Sequence, residues 1–599
     1  MRLVGRRLAA LIPTLVGVSF VVFMLIRLVP GDPAPVMLGV DASRDRPSPV
    51  ARDEGATQEG TVRGLVVAPE RLAAEAGAAA LRQGGNAADA AVAAAFAQCV
   101  VNPLLCGIAG TALGLARCGP DGPVRVVDAA VTIGSVPVPE RWRSDYVGRA
   151  ETIGRYIVRD ETNQVGYGSV MVPGFVRGAH HLLTRYGSGR IGWRNLLEPA
   201  IRLAEEGFDV YPYIANFWAD TEDRPGYPAL AKKLTATPDC IRIYLRPGGQ
   251  PYRLGDRLVQ ADLGRTLRRI AEAGPDEFYE GETGDRIMQD FTAHGGLFTR
   301  DDLRSYEPIE YEPVEGEYRK HRIVAVPPPG SGAQLIEMLR VVEALDLTGL
   351  EHNAPEFIDL MARVMTATFI EHASLKLDPP FTMTLGVLSR ALDRGHARRL
   401  ASDLRARRPE GIRPMVRQAG TTHVTVVDAE GNLISFTHSI GSLAGSGVVT
   451  PGLGILLNNF LGHFSPLPGL PDSIVRGKRG GGGCAAVVFD GTRPYIVIGA
   501  PGGSRLISAI FQSILNVLDR GMSMTDAVSA PRFHSEEPGL IFVEPAIPEQ
   551  TVDAVRALGY RVDRSTYMSR VQAILIDDRG RLHPGPDPRG GAGAVAVDG

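Results

Sequence analysis

One stretch decides the fold of this chain: Gly420-Thr421-Thr422-His423-Val424-Thr425-Val426-Val427-Asp428. A glycine is followed by a β-branched run that is typical of a strand. A cut between Gly420 and Thr421 would leave a hydroxyl and a free α-amine on one residue. An α-amine with a pKa of about 8 can accept the proton of a threonine hydroxyl, which is otherwise a poor nucleophile at neutral pH. The stretch therefore predicts a nucleophile, Thr421, that carries its own general base.

The residues after this stretch predict a β-hairpin and a glycine-rich turn. A polar segment, residues 428–432, separates the first strand from a second apolar run that begins at Leu433. Further on, residues 501–505 read PGGSR and follow another strand-like run. Paired glycines allow backbone N–H groups to converge on a small anion. The pattern thus supplies a candidate oxyanion site for the predicted nucleophile.

Several stretches match one protein family in order: residues 64–69, 81–94, 172–176, 198–207, 327–333, 454–459 and 498–505. On these stretches the chain resembles the γ-glutamyltranspeptidase family of N-terminal-nucleophile hydrolases. The resemblance implies an α/β fold, an αββα sandwich made from a large and a small subunit of one precursor. It assigns residues 62–420 to the large subunit and residues 421–599 to the small subunit, which begins with the nucleophile.

Composition limits the partners of this 599-residue chain. The formal charge of −3 offers no basic surface, so a nucleic-acid partner is not expected. The five cysteines show no CxxC pair and no zinc-ligand spacing, so no disulfide, metal or other cofactor is predicted. The expected partners are a small-molecule amide or peptide substrate and the two subunits of the same precursor.

The N-terminus predicts a membrane segment. Three arginines within the first seven residues precede an apolar run, residues 8–26, which is long enough to cross a bilayer. A signal peptide is the competing interpretation, but the run is long for one and no A-x-A cleavage site follows. Residues 1–44 resemble the first transmembrane helix of a peptide ABC-transporter permease, and residues 45–61 form a polar linker.

Two locations follow from this N-terminus. If the membrane segment is made, the arginines stay in the cytoplasm and the enzyme part lies on the outer side, anchored to the membrane. If the segment is an artefact of gene prediction or a relic of gene fusion, the enzyme part is cytoplasmic.

The resemblance implies catalytic roles for four residues. Thr421 would attack an amide carbonyl and form an acyl-enzyme, which water or an amine then resolves. Ser439 stands where the family has a second hydroxyl that hydrogen-bonds the nucleophile. Gly502 and Gly503 match the oxyanion-hole glycines, and losing one such donor costs about 3–4 kcal/mol of barrier. His423 lies on the same strand face as Thr421, and we interpret it as structural because the nucleophile already has a base.

The residues that would bind a γ-glutamyl group depart from the family. Its carboxylate-binding arginine falls on Ala130, and its serine pair falls on Gly482 and Gly483. On the ammonium side, an asparagine falls on Gly441. A glutamine and an aspartate fall on two residues after the matching Asn459, namely Phe460 and His463.

These changes predict a different substrate. Without charged anchors, the α-carboxylate and α-ammonium of a γ-glutamyl group would each lose several kcal/mol. Residues 464–478 are also shorter than the family's lid loop, which predicts a more open pocket. We expect an apolar or singly charged acyl group.

The sequence leaves three functions open. The first is an autoprocessing amidohydrolase or acyltransferase that acts on an acyl group other than γ-glutamyl. The second is a glutathione hydrolase and γ-glutamyltransferase. The third is a non-catalytic fusion product or degenerate family member that only keeps the fold.

Overall fold

The computed structural model of the chain describes residues 62–149, 156–221, 223, 226–372, 385–409, 420–470 and 472–599. The predicted permease-like membrane segment (residues 1–44, with its apolar run 8–26) and the predicted linker (residues 45–61) lie outside these ranges. Within them, no helix combines the length and the apolar character needed to cross a membrane.

The first sheet carries the predicted hairpin at its centre. It contains seven strands, all antiparallel to their neighbours. In spatial order they are Gly593–Asp598, Val62–Ala68, Gly420–Asp428, Leu433–Gly441, Thr111–Arg117, Arg125–Ala129 and Ile309–Tyr311. The strand that begins with Gly420 is therefore flanked on both sides.

A second antiparallel sheet faces the first. Its six strands, in spatial order, are Val314–Tyr318, His321–Ala325, Cys484–Asp490, Arg493–Ala500, Gln572–Ile576 and Leu582–Pro586. Smaller sheets join Phe533–Glu537, Leu540–Val543 and Arg561–Arg564, and the pairs Val131–Thr132 with Arg479–Gly480, Tyr146–Arg149 with Tyr156–Val158, and Phe208–Asp209 with Arg257–Leu258.

Helices cover the outer faces of both sheets. The α-helices are Arg71–Arg82, Ala87–Val101, Arg141–Ser144, Phe175–Tyr186, Trp193–Glu206, Pro212–Trp218, Leu230–Leu234, Pro238–Tyr244, Ala261–Ala273, Asp276–Tyr279, Glu282–Ala293, Arg300–Arg304, Gly332–Ala344, Pro355–His372, Leu385–Ala391, Arg394–Ala406, Arg505–Leu518, Met524–Ser529 and Glu549–Ala557. Short 3₁₀ turns occupy Arg159–Glu161, Tyr167–Ser169 and Phe460–His463.

Alternating side chains of each strand separate three apolar layers. On strand Val62–Ala68, Val66 packs with the helices, whereas Val67 packs between the two sheets. On strand Cys484–Asp490, Val487 faces the first sheet and Val488 faces the helices beyond the second. The period of two residues in a strand produces this division. The expected αββα sandwich is confirmed.

An alanine-rich segment forms the helices Arg71–Arg82 and Ala87–Val101, with Gly84 and Gly85 between them. A Cβ atom at Gly77 would lie 2.8 Å from the carbonyl oxygen of Ala90, so the helices Arg71–Arg82 and Ala87–Val101 approach more closely than larger residues would allow. Asn86 caps the second helix through its side-chain oxygen, as its residue type predicts. The second helix places a wall of small residues against the strand that begins with Gly420, and the first helix packs on the neighbouring strand Val62–Ala68.

Candidate active site

The predicted nucleophile lies at an irregularity in the hairpin. Gly420 pairs with Gly441 and Thr422 pairs with His438, so three residue steps on one strand face two steps on the other. Such a bulge turns the local side chains relative to a regular ladder. Thr421 sits within this irregular step and is only 4% exposed. The Gly420–Thr421 peptide bond is thus held inside a sheet.

The hydroxyl of Ser439 contacts the carbonyl of that bond. Ser439 Oγ donates a hydrogen bond to the Gly420 carbonyl oxygen. Ser439 Oγ in turn accepts a hydrogen bond from the Gly441 N–H at 2.9 Å, which orients the hydroxyl group. In this uncut chain Ser439 therefore polarises the carbonyl carbon that the Thr421 hydroxyl would attack. The sequence predicted the position of Ser439 at the nucleophile but not this particular contact.

The helix-facing side of the strand is anchored by a buried carboxyl group. Thr422 Oγ1 donates to Glu70 Oε1 at 2.9 Å, and Gln98 Nε2 donates to Glu70 Oε2 at 2.6 Å. Asn102 donates to the same carboxyl group. Burial raises the pKa of Glu70, and these hydrogen bonds, together with the charge of Arg570, offset part of the rise. The cluster fixes the residue next to Thr421.

The sheet-facing side carries His423. Its Nδ1 lies 2.8 Å from Thr437 Oγ1, and its Nε2 lies 3.0 Å from Ser435 Oγ. Burial lowers the pKa of His423 to about 3, so the imidazole is neutral at physiological pH. A Cβ atom at Gly499 would lie 2.2 Å from its ring, so the second sheet packs directly on it. These contacts agree with the structural interpretation of His423.

The glycine turn at residues 501–504 follows strand Arg493–Ala500 and leads into helix Arg505–Leu518. Gly502 and Gly503 have φ values of 132° and 64°, which favour glycine. Contacts between the sheets place this turn. Ser435 Oγ donates to the Ile498 carbonyl oxygen, and His423 packs on Gly499, so the end of strand Arg493–Ala500 lies against the hairpin that carries Thr421.

The second glycine loop, residues 480–483, packs on the same sheet. A Cβ atom at Gly481 would lie 2.5 Å from Thr111 Oγ1, and one at Gly483 would lie 3.2 Å from Thr437 Cβ. Thr111 pairs with Ser439 across the sheet. The loop therefore packs beside the strand that neighbours Thr421. A Cβ atom added at Gly482 would lie 3.3 Å from the Pro329 carbonyl oxygen.

Gly441 has a steric reason to be glycine. Its φ is +104°, and a Cβ atom there would lie 2.3 Å from Asn459 Oδ1. Asn459 accepts from the Ser442 N–H at 2.9 Å and donates to Ser442 Oγ at 2.7 Å and to the Gln164 carbonyl oxygen at 3.0 Å. Its side chain is thus engaged inside the protein, and an asparagine at Gly441 would collide with it.

Phe460 belongs to a separate apolar cluster, and His463 contacts Phe460 at its edge. Phe460 is 5% exposed and packs with Trp142, Met171 and Leu461, while its ring centroid lies 5.4 Å from that of His463. His463 Nδ1 lies 3.2 Å from the Phe460 carbonyl oxygen. In the uncut chain Phe460 is a packing residue beneath the loop of residues 464–478.

Charged side chains lie near the substituted positions, and sequence reasoning missed them. Arg479 Nη2 donates to Asp128 Oδ1 at 2.9 Å, two residues before Ala130. Lys233 Nζ donates to the Leu443 carbonyl oxygen at 2.9 Å and to Ser442 Oγ. Lys233 comes from a short helix far away in sequence, so no local pattern could have assigned it. The position just before the glycine loop, residues 480–483, was the available signal for Arg479.

Comparison with known proteins gives one family. The sequence model of the gamma-glutamyltranspeptidase family matches residues 73–597. The chain is 35% identical over 553 residues to the Acylase ACY 1 proenzyme of Pseudomonas sp. (strain V22), covering 90% of this chain and 94% of that protein. It is 30% identical over 550 residues to the glutathione hydrolase proenzyme of Escherichia coli (strain K12), covering 88% and 90%.

A solved structure gives the same result. The cephalosporin acylase from Bacillus halodurans aligns with a TM-score of 0.75 and 27% identity, covering 90% of this chain and 96% of that one.

Proposed function

The chain belongs to the γ-glutamyltranspeptidase family and is an enzyme, and we propose that it cleaves its own Gly420–Thr421 bond and then hydrolyses or transfers N-acyl amides that lack a γ-glutamyl group. The observation that carries the proposal is the hydrogen bond from Ser439 Oγ to the Gly420 carbonyl oxygen, beside the buried Thr421. This contact polarises the peptide bond whose cleavage would leave Thr421 with a free α-amine.

Self-cleavage would proceed through an ester. The Thr421 hydroxyl oxygen adds to the Gly420 carbonyl carbon, and the hydroxyl proton passes to the Thr421 nitrogen as the C–N bond breaks. Water then hydrolyses the ester. The products are a Gly420 carboxylate and a Thr421 that carries both a hydroxyl and a free α-amine. Residues 62–420 and 421–599 then form the large and small subunits of one precursor.

The mature residue would repeat this chemistry on a substrate. The free α-amine of Thr421 takes the hydroxyl proton, the oxygen attacks the amide carbonyl, and the leaving amine departs with that proton. The N–H groups of Gly502 and Gly503 would bind the developing oxyanion. Water or another amine then attacks the acyl-enzyme. The neutral His423 takes no part in the proton transfers because its pKa is about 3.

The choice of acyl group rests on the substituted anchors. Ala130 and Gly441 leave the sites of the family's carboxylate and ammonium partners without a polar side chain, and Gly441 cannot regain one without displacing Asn459. Similarity to the Acylase ACY 1 proenzyme and to a cephalosporin acylase agrees with this preference. We therefore propose N-acylated cephalosporins and related N-acyl amides as substrates, ahead of glutathione.

The test compares two substrate classes on two proteins. Purified parent chain and Thr421→Ala are incubated with an N-acylated cephalosporin and with γ-glutamyl-p-nitroanilide, and the released amines are quantified. We expect the parent to be cut into two fragments, with Thr421 at the new N-terminus, and to prefer the cephalosporin. We expect Thr421→Ala to stay uncut and to lose activity by a factor on the order of 10⁴ or more.

Each other outcome has a definite meaning. Faster release from the γ-glutamyl substrate would overturn the acyl preference and favour glutathione hydrolase activity. A folded parent that stays uncut and releases neither amine would overturn the enzymatic mechanism as a whole.

A further inference from the structure

A cluster of two glutamates and two histidines lies away from the candidate active site. Glu337 comes from helix Gly332–Ala344, Glu371 and His372 end helix Pro355–His372, and His396 comes from helix Arg394–Ala406. These three helices belong to the proposed large subunit and lie outside the two central sheets. Neither self-cleavage nor amide hydrolysis uses any of these four side chains.

The donor atoms of three of these residues converge. His396 Nε2 lies 3.0 Å from Glu371 Oε2 and 3.3 Å from Glu337 Oε1. One ligand atom from each of these three side chains lies within 4.8 Å of the other two. The side chains of Glu337, His396 and Glu371 are 1%, 17% and 26% exposed, so the cluster runs from the interior to an accessible edge.

One carboxylate oxygen at the centre lacks a hydrogen bond. Glu337 Oε1 is fully buried, and although His396 Nε2 is 3.3 Å away, the geometry does not form a hydrogen bond. The other oxygen, Oε2, lies 2.7 Å from His372 Nε2. A buried carboxylate oxygen without a donor is costly, typically by about 1–3 kcal/mol. This acceptor oxygen of Glu337 lies 3.3 Å from His396 Nε2, on the side of the cluster where the three ligand groups converge.

We propose that Glu337, Glu371 and His396 bind a divalent transition-metal ion, with His372 holding Glu337 in position. Two carboxylates and one imidazole nitrogen suit borderline cations such as Zn²⁺, and a dication would neutralise the two carboxylates. Around zinc, bonds of about 2.0–2.2 Å place neighbouring donor atoms about 3.3 Å apart. The observed separations of 3.0 and 3.3 Å therefore need only small movements.

The ion would join three helices. His396 must offer Nε2 without a proton, so binding releases any proton that this nitrogen carries. His372 contacts the other oxygen of Glu337, as partners that orient metal-binding carboxylates do. Glu371, the most exposed of the three side chains, would hold the ion at the accessible edge of the cluster. The bound ion would tie helices Pro355–His372 and Arg394–Ala406 to Gly332–Ala344.

The experiment uses Zn²⁺ as the probe on the full chain. Chelator-stripped protein is titrated with Zn²⁺ by calorimetry, and its melting temperature is recorded with and without the ion. We expect one equivalent to bind and the melting temperature to rise. His396→Gln should weaken binding at least tenfold, and so should Glu371→Gln, which is partly exposed and therefore tolerates substitution better.

The matched control is His181→Gln. His181 Nε2 lies 2.7 Å from Glu310 Oε1, a histidine–glutamate contact outside the cluster, so this variant should bind Zn²⁺ like the parent. Cobalt(II) gives a second readout, because nitrogen and oxygen ligands produce no thiolate charge-transfer band.

Three results would overturn the proposal. They are no zinc-dependent change in the folded parent, unchanged affinity in both cluster variants, or a thiolate band with cobalt. The last result would place the ion at the buried group formed by Cys99, Cys106 and His438.

Discussion

The two faces of strand Gly420–Asp428 are both polar but are built differently. On the helix side, Thr422 donates a hydrogen bond to the carboxyl group of Glu70. Two amide side chains, Gln98 and Asn102, donate to the same carboxyl group. On the sheet side, His423 meets only hydroxyl groups and stays neutral. The comparison teaches that one face fixes the position of the strand through a buried carboxyl group, while the other holds a neutral imidazole among hydroxyl groups.

Removing the Ser439 hydroxyl should have the largest effect on the sheet side. We expect Ser439→Ala to slow self-cleavage by a factor of about 10²–10³, equivalent to about 3–4 kcal/mol, because the Gly420 carbonyl loses its donor. The measurement is the time course of fragment formation by mass spectrometry. Ser439→Thr keeps a hydroxyl and should cleave at a rate closer to the parent. Equal rates for Ser439→Ala and the parent would show that the hydrogen bond plays no part.

On the helix side, a substitution at Glu70 should reduce the stability of the protein more than the rate of self-cleavage. Glu70→Gln places an amide donor among three donors, Gln98, Asn102 and Thr422. We expect the free energy of unfolding to fall by about 2–3 kcal/mol, with a lower melting temperature, in the uncut Thr421→Ala background. Glu75→Gln is the control, since its exposed ion pair with Arg71 is worth little. If both variants melt alike, the Glu70 cluster does not anchor the strand.

Two glycines at the edge of the site, Gly441 and Gly482, differ in the space that a side chain would find. Gly441→Ala should cost about 2 kcal/mol, because φ is +104° and the new Cβ would displace Asn459. Gly482→Ala should change stability by no more than about 0.5 kcal/mol, since its Cβ would meet only the Pro329 carbonyl oxygen at 3.3 Å. Thermal unfolding of both variants tests whether position 441, where the family has an asparagine, must lack a side chain for steric reasons. Equal melting temperatures would contradict it.

The last prediction concerns the pH dependence of the free energy of unfolding. Burial lowers the pKa of His423 from 6.5 to about 3, so between these values the unfolded chain binds a proton that the folded chain does not. Stability should therefore fall by about 1.4 kcal/mol for each pH unit below 6.5. His438, with a pKa also lowered to about 3, adds an equal slope. His423→Asn should remove half of this dependence.

The readout is the pH dependence of the unfolding free energy between pH 4 and 6 in the Thr421→Ala background. Above pH 7 both histidines are neutral in the folded and unfolded chains, so the variant and the parent should there differ by a constant. An unchanged slope in His423→Asn would mean that the buried imidazole becomes protonated in the folded protein.

Local patterns predicted much of the fold. The hairpin around residues 428–432 and the N-cap at Asn86 follow from short stretches whose residue types restrict the backbone. Order along the chain also located Thr421, Ser439 and the two glycine turns. These features depend on neighbours in sequence, or on a family pattern that covers most of the chain.

Contacts between distant residues could not be predicted in this way. Glu70 and Thr422 are 352 positions apart, and Lys233 reaches Ser442 across 209 positions. The sequence also indicated that Gly441 replaces a polar anchor, but only its positive φ and the nearby Asn459 explain why a side chain is excluded there. Register and packing decide such contacts, and neither leaves a local signature.

Gly420 pairs with Gly441 in the uncut chain. In the proposed mechanism, the carbonyl carbon of Gly420 would occupy the place that a substrate's acyl carbon takes during turnover, so the uncut chain would block its own site. Cutting the bond would create a carboxylate and an ammonium group side by side at a nearly dry position, and unpaired buried charges cost several kcal/mol. The new C-terminus at Gly420 is therefore expected to move away from Thr421, and this movement would open the position in which the first substrate binds.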